Sequence, residues 1–463
     1  MKNRVVSFDK ILGDSVLRLE AEFWVAMPSR QIGYIGNDII EFSQYGTSKE
    51  LNDEKKGFPI LRLNEFDGYF IGQPQKYCDY IDNETYDLLK LKKDDVLICR
   101  TNGNPNYVGK AAIVTNNTDY AYASYLFKIR PKVKMINSST LTIYLNSKYG
   151  RNEINKYSMV SNQCNFSPAK FREIFIPKFN LRLQKNVEKI VYKSAQLKEC
   201  FENSYQFSEK LILKKLNLLN WLHQRKSSFI KNFSDVQSAN RLDAEYFQPK
   251  YDELIDKIKS YPHGWDTLEN LIKLRDKNFS PKDETKYTYI ELANINNNGS
   301  ISDTALEIGK NLPTRARRIV KTGDVIVSSI EGSLNSIALI TPQYDNALCS
   351  TGFYVMHSDE FNPETLFCLM KSVVGQMQLK KGCSGTILTA INNDELSKII
   401  LPRIDNETQN KIKEKISEMY ESMQKSKQLL EIAKHGVEKA IEENEDIAMQ
   451  WIDEQLKLIG VTL

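Results

Sequence analysis

The sequence predicts an α+β protein made of two half-units, each a globular part of short strands and helices followed by one long helix. Three observations predict it. A phrase near the start, RLEAEFW (Arg18–Trp24), returns as RLDAEYF (Arg241–Phe247). Short apolar runs bounded by turn residues follow each phrase in the same order. Each set of runs then gives way to roughly 40 residues whose apolar positions are spaced by 3 and 4, the pattern of a helix with a narrow apolar seam. Self-similarity at a fixed period marks a repeated structural unit.

The correspondence runs along most of the chain. LKKDDVLICRTNG (Leu91–Gly103) answers VKTGDVIVSSIEG (Val320–Gly332), and GKAAIV (Gly109–Val114) answers NSIALI (Asn335–Ile340). LNSKYGR (Leu145–Arg151) answers MKSVVGQ (Met370–Gln376), and FSPAKFREIFIPKF (Phe166–Phe179) answers INNDELSKIILPRI (Ile391–Ile404). Pro177 and Pro402 close the last pair, and Gln184 and Gln409 each follow seven residues later. The expected division is a first globular domain over 1–180, a helix over 181–235, a second globular domain over 236–404, and a second helix with a C-terminal tail over 405–463, related by a pseudo-twofold internal repeat.

Within the first globular part, FPILRL (Phe58–Leu63), DVLICR (Asp95–Arg100), KAAIV (Lys110–Val114) and YLFKIR (Tyr125–Arg130) read as strands. TYIELANI (Thr288–Ile295), DVIVSS (Asp324–Ser329), SIALI (Ser336–Ile340) and GFYVM (Gly352–Met356) match them in the second. LTIYLNSK (Leu141–Lys148) and ETLFCLMKS (Glu364–Ser372) read as flanking helices.

The second long helix carries its seam on Ile412, Ile416, Met419, Met423, Ser426, Leu430, Ala433, Val437, Ala440 and Asn444, with Asp405 or Asn406 as the cap. The first uses Val187, Ile190, Ser194, Leu197, Phe201, Ser204, Ser208 and Leu211, continuing to Leu218 and Leu222. Polar residues interrupt this seam, and a break is expected near Asn203 to Phe207. Helices of about 40 residues reach roughly 60 Å. A narrow seam needs a partner helix, so the two are expected to pair as an antiparallel coiled coil.

Composition narrows the function. The chain has 463 residues and a formal net charge of +4, from 63 basic and 59 acidic side chains, so charge alone neither requires nor excludes a nucleic-acid partner. Seven scattered cysteines without a CxxC pair imply reduced thiols, a cytoplasmic setting and no metal site. MKNRVVSFDK lacks the apolar core of a signal peptide, and no apolar run reaches about 18 residues, so no membrane partner is expected. NPNY (Asn104–Tyr107) resembles the Asn-Pro-Pro-Tyr box of amino-methyltransferases, but Asn106 replaces its second proline and no glycine-rich cofactor loop follows a strand. Asp283, Glu284 and Lys286 form an acid-x-Lys triplet common by chance. No Ser/His/Asp set, HExxH box or P-loop occurs. The chain therefore reads as a binder, with no catalytic residues and no cofactor of its own.

Polar, glycine-bearing loops follow the strands at matching places: YGTSKE (Tyr45–Glu50), RTNGNPNY (Arg100–Tyr107), SNQCN (Ser161–Asn165), SIEGSLNS (Ser329–Ser336) and KKGCSGT (Lys380–Thr386). Asn, Gln, Arg, Ser and Thr are the side chains that read base edges and grip phosphates. The same residues also build ordinary turns.

Two α+β domains, each followed by a long helix, with paired RLEAEFW/RLDAEYF openings and domain ends in IFIPKF and IILPRI, resemble the specificity subunit of Type I restriction-modification systems. The resemblance covers nearly the whole chain. It implies two target recognition domains reading an asymmetric, bipartite site on double-stranded DNA. It also implies spacer helices that dock two methyltransferase subunits acting on adenine N6, with S-adenosylmethionine held by those partners; motor-nuclease subunits join in the restriction complex. On this basis Thr47, Lys49, Arg62, Arg100, Asn102, Asn104 and Gln163 are the expected DNA contacts of the first domain. Those of the second are Lys277, Ser329, Glu331, Ser333, Asn335, Lys381 and Thr386. The aromatics Phe23, Trp24, Tyr246 and Phe247 are expected to pack rather than touch DNA. The competing reading is a protein-interaction scaffold that binds no DNA.

Overall fold

A computed structural model describes residues 32–158, 164–222, 226–302, 304–384 and 389–463. The chain divides into two units, one running to Glu199 and joined by Met423–Leu463, the other formed by Cys200–Ser422. Both are mixtures of short strands and helices, as the alternating runs predict.

In the first unit the strands are β1 (Gly33–Ile35), β2 (Ile40–Tyr45), β3 (Phe58–Leu61), β4 (Lys76–Cys78), β5 (Val96–Cys99), β6 (Ala111–Ile113), β7 (Ala121–Tyr122), β8 (Leu126–Pro131) and β9 (Phe175–Pro177). The main sheet has the order β2-β8-β5-β6, extended past β6 by Phe70–Ile71 and Phe66–Asp67. A smaller sheet sets β3 between β4 and β7, with β3 and β7 parallel. β1 pairs with β9 and brings the two ends of the domain together. Helices α1 (Ser138–Asn146) and α2 (Lys148–Tyr157) follow β8. Every residue of β5 is buried, which is why VLIC reads as a continuous apolar run rather than an alternating one.

The second unit has β10 (Trp265–Thr267), β11 (Lys273–Leu274), β12 (Lys286–Ile290), β13 (Ala305–Ile308), β14 (Ala316–Ile319), β15 (Val325–Ser328), β16 (Ile337–Leu339), β17 (Leu348–Ser350), β18 (Phe353–His357) and β19 (Ile400–Pro402). One sheet has the order β11-β18-β15-β16, the other β13-β12-β17-β14, with β12 and β17 parallel. β10 pairs with β19. Helices α3 (Pro363–Lys371) and α4 (Val373–Gly382) follow β18.

One buried carboxylate organises each main sheet. Asp95 accepts from the Lys92 amide at 2.9 Å and from Arg130 Nη2 at 2.7 Å. Asp324 accepts from the Lys321 amide at 2.8 Å and from Arg275 Nε at 3.0 Å. Neither side chain is exposed, so each charge needs the fixed donors and the cation it receives. Asp95 and Asp324, each just before the strand that begins at Val96 or Val325, are thus the acids that close these turns.

The long helices run over Leu181–Lys215 and Asn406–Glu442. In the first unit Leu183, Val187, Ile190 and Val191 share a core with Leu429, Leu430, Ala433 and Val437. In the second unit Phe201, Ser204, Ser208, Ile212, Ile412, Ile416 and Met419 are buried. Three expectations need correction. The first helix does not break near Asn203; Ser204 and Ser208 are small enough to be buried within it, and the Ser208 hydroxyl is satisfied by the Ser204 carbonyl at 3.0 Å. It stops at Lys215, so Leu222 does not continue the seam and is exposed. Asn444 is no seam residue: its side chain accepts from the Ile447 amide and caps a further helix, Glu445–Leu458, which buries Ala448, Met449 and Ile452 in the first unit's core.

Candidate nucleic-acid interface

In the first unit several strands end or begin at one edge of the main sheet. Tyr45 closes β2 opposite Phe127, and Cys99 closes β5 opposite Leu126. The segments leaving this edge are laced together by backbone bonds. The Thr47 amide donates to Tyr122 at 2.9 Å, the Ala123 amide to Leu61 at 3.0 Å and the Arg100 amide to Tyr125 at 2.8 Å. Thr47, Lys49, Arg62, Arg100 and Asn104, which the sequence separates by up to 57 positions, thus lie on loops that these bonds tie together, and Asn102 sits in a two-residue strand paired with Cys164–Asn165. Gln163 lies outside the described residues.

These side chains are not equally available. Arg100 stacks over Tyr45 at 5.4 Å from the ring centroid, and its Nε is buried with no hydrogen-bond partner among the described residues. An unsatisfied buried donor costs free energy unless a ligand completes it. Arg62 is committed: its guanidinium and amide all donate to the Glu65 carboxylate, and that bonding raises its pKa. Asn102 Oδ1 takes the Asn104 amide at 2.8 Å and Asn104 Oδ1 takes the Asn106 amide at 3.0 Å. The two asparagines therefore build consecutive turns with their side-chain oxygens. The NPNY box is this turn. Lys49 is exposed, and the Thr47 hydroxyl accepts the Lys49 amide at 3.1 Å.

In the second unit Ser328 closes β15 opposite Phe353, and the turn Ser329–Asn335 leads into β16. The Ser329 amide and hydroxyl both donate to the Gly352 carbonyl at 2.9 Å, and the Ser329 carbonyl accepts the Ile391 amide. Ser333 Oγ lies 2.9 Å from Ser328 Oγ. The hydroxyl of Ser329 is thus engaged by the neighbouring Gly352 carbonyl and that of Ser333 by Ser328. Glu331 is anchored by its amide, which donates to Thr389 at 2.9 Å, while its side chain is exposed. The Asn335 side chain and Lys277 are also exposed. Thr386 lies outside the described residues.

Lys381 points the other way. Its Nζ stands 5.0 Å over the Tyr246 ring and 3.9 Å from Asp252, and burial lowers its pKa. It packs against the opening phrase rather than facing solvent. Arg241 explains why that phrase matters: it stacks on Tyr246 at 4.3 Å and donates to the carbonyls of Lys381 at 3.3 Å and Cys383 at 2.9 Å. The phrase clamps the KKGC loop. Its first copy, Arg18–Trp24 with Phe23 and Trp24, lies outside the described residues.

Sequence reasoning passed over Tyr45 as a stacking platform and missed Arg318, whose Nε is likewise buried without a partner and whose guanidinium lies 5.8 Å from the Tyr354 ring. The adjacent aromatic is the only signal for either, and it is visible only once strands are paired. Among the described residues no group of His, Cys, Asp or Glu is arranged to hold a metal, and no helix is long and apolar enough to cross a membrane. All seven cysteines are free.

No family model matches the chain, and no curated protein matches it by sequence. Among solved structures it is similar to the Type-I restriction-modification system S subunit from M. genitalium, at 11% identity, over 94% of this chain and 97% of that one, with a TM-score of 0.40. It is also similar to the HsdS subunit from Thermoanaerobacter tengcongensis, at 13% identity over 93% and 97%, with a TM-score of 0.28. A chain from a structure of type I R-M system assembly and conformational transition matches at 12% identity over 93% and 98%, with a TM-score of 0.28.

Proposed function

We propose that this chain is the DNA-recognition subunit of a Type I restriction-modification complex, or of a related methylation-based defence complex. Each unit reads one half of an asymmetric, bipartite duplex target. The long helices pair as an antiparallel coiled coil, set the unread gap and dock two adenine-N6 methyltransferase subunits. S-adenosylmethionine and the catalysis belong to those partners, and motor-nuclease subunits join in the restriction complex. The chain acts in the cytoplasm.

The observation that carries this reading is one hydrogen-bonded frame, present in both units, bearing different side chains at one point. The amide and carbonyl of Arg100 bond to Tyr125 and Phe166; those of Ser329 bond to Gly352 and Ile391. A frame built twice with unlike loops is what two readers of unlike sequence require. The Arg100 fork suits guanine O6 and N7, and the exposed Glu331 carboxylate suits the cytosine amino group. Lys49 and Lys277 suit phosphates, which supply affinity without sequence. Exposed Leu222, Ile230, Phe233 and Leu242, within the stretch that follows the first long helix, suit a protein partner.

The test is selection from a randomised duplex library by the full chain, alone and with its methyltransferase subunits. Two short unlike motifs at a fixed separation are expected. A scaffold that binds no DNA would enrich nothing.

A further inference from the structure

Each reading turn is gripped from behind by one side chain of a helix. In the first unit Arg151, in α2, donates from Nη1 to the Val108 carbonyl at 2.7 Å and from Nη2 to the Asn106 carbonyl at 3.2 Å. Those carbonyls belong to the turn that starts at Asn104. The approach is close: Gly109, at φ +77°, closes the turn, and a Cβ there would stand 2.4 Å from Ile154 and 3.2 Å from Arg151. In the second unit Gln376, in α4, donates from Nε2 to the Leu334 carbonyl at 3.1 Å and to the Met370 carbonyl at 3.1 Å. Leu334 ends the turn that carries Glu331 and Ser333.

Arg151 and Gln376 are equivalent positions, as are Val108 and Leu334. The same task is done by unlike groups. A guanidinium fork spans two carbonyls of its turn, and its donor geometry is fixed. An amide reaches one carbonyl of its turn and spends its second donor on the end of α3. Both side chains spend donors on backbone carbonyls, which leaves the reading to the turns they hold.

We infer that Arg151 and Gln376 are positioning residues that set the pose of the two reading turns, and so the base preference of each half-site. This rests on the DNA-reading function proposed above. A base contact depends on donor placement within a fraction of an ångström, so a loosened turn loses discrimination before it loses phosphate affinity.

Two readouts on the full chain separate the claims. The first needs no DNA. Hydrogen exchange of the Asn106, Tyr107, Val108 and Lys110 amides should quicken about tenfold in Arg151→Ala, while Leu97 and Ile98 in β5 keep their rates. Arg151→Gln, which installs the second unit's solution, should recover part of the protection. Unchanged turn amides, or an equal rise throughout the sheet, overturn the clamp. The second is selection from a randomised duplex library. Arg151→Ala should blunt base preference about tenfold in one half of the selected motif, and Gln376→Ala in the other half only. A uniform affinity loss with preference intact overturns the role in specificity. A wild-type chain that selects no motif rejects the DNA-reading function itself, and the exchange comparison still decides the clamp.

Discussion

Ser194 and Ser426 hydrogen-bond to each other in both directions. Their hydroxyls lie 2.8 Å apart, and each hydroxyl also reaches the other residue's carbonyl at 3.1 Å. Both are buried among apolar neighbours of the first unit, at the point where small side chains let the two helix backbones approach. A buried hydroxyl must be paired, so the two serines fix which turns of the helices face each other. Ser194→Ala should cost about 1 kcal/mol in urea unfolding. Ser194→Ala with Ser426→Ala should cost clearly less than the sum of the singles, since the first change already strips the shared bond. Additive losses would mean that the hydroxyls act separately.

Gln184 and Gln409 make matching bonds at the starts of the long helices. Gln184 Oε1 accepts the Asn137 amide at 2.9 Å and its Nε2 donates to the Phe179 carbonyl at 2.8 Å. Gln409 Oε1 accepts the Asn362 amide at 2.9 Å and its Nε2 donates to the Ile404 carbonyl at 3.0 Å. Gln→Glu at either place sets a carboxylate oxygen against a carbonyl in a buried site. A loss of about 2–3 kcal/mol is expected for each, seen as a fall in Tm of the unit concerned. An unchanged Tm would show that the amide orientation carries no weight.

Lys371 makes the second unit sensitive to alkaline pH. Burial pushes its pKa down from 10.5 to about 8, against the pull of Glu209 and Cys368. Its Nζ donates to the Asn335 carbonyl at 3.1 Å. A lysine whose folded pKa is depressed binds fewer protons when folded. Its burial cost is therefore fully present below pH 8 and is relieved as pH rises from about 8 towards 10.5. Comparing wild type with Lys371→Met in denaturant at pH 7.5 and pH 10 isolates the group. The wild type should gain roughly 2–3 kcal/mol relative to the variant over that interval. Parallel pH curves would refute the assignment.

Arg100→Ala should weaken binding to duplexes carrying the first half-site by about 1–3 kcal/mol while leaving random-sequence affinity nearly unchanged. An equal loss on random duplexes would make Arg100 a phosphate contact. Inserting one heptad into each long helix should lengthen the preferred unread gap, by about 3 base pairs for a 10 Å extension at 3.4 Å per pair. An unchanged gap would sever helix length from spacing.

The main strands and the long helices were legible in the sequence because each rests on periodicity or on a short turn chemistry that needs no long-range partner. The frame around Arg100 and Ser329 was not, because it joins Arg100 to Phe166 and Ser329 to Ile391 across distant stretches of chain. What escaped it depends on tertiary neighbours. Arg62 reads as a free cation until Glu65 folds back onto it, and Lys381 reads as a loop charge until Tyr246 and Asp252 close around it. The helix Glu445–Leu458 was folded into an undifferentiated tail because Asn444 fits the seam spacing as well as it fits a cap. Arg151 and Gln376 look like surface residues of short helices; only the carbonyls they reach give them a role.

The most direct test is a map of N6-methylated adenines in cells with and without this gene. Methylation at a two-part asymmetric motif with a constant gap should vanish when the gene is removed and return with it. A methylation pattern that ignores the gene would contradict the account.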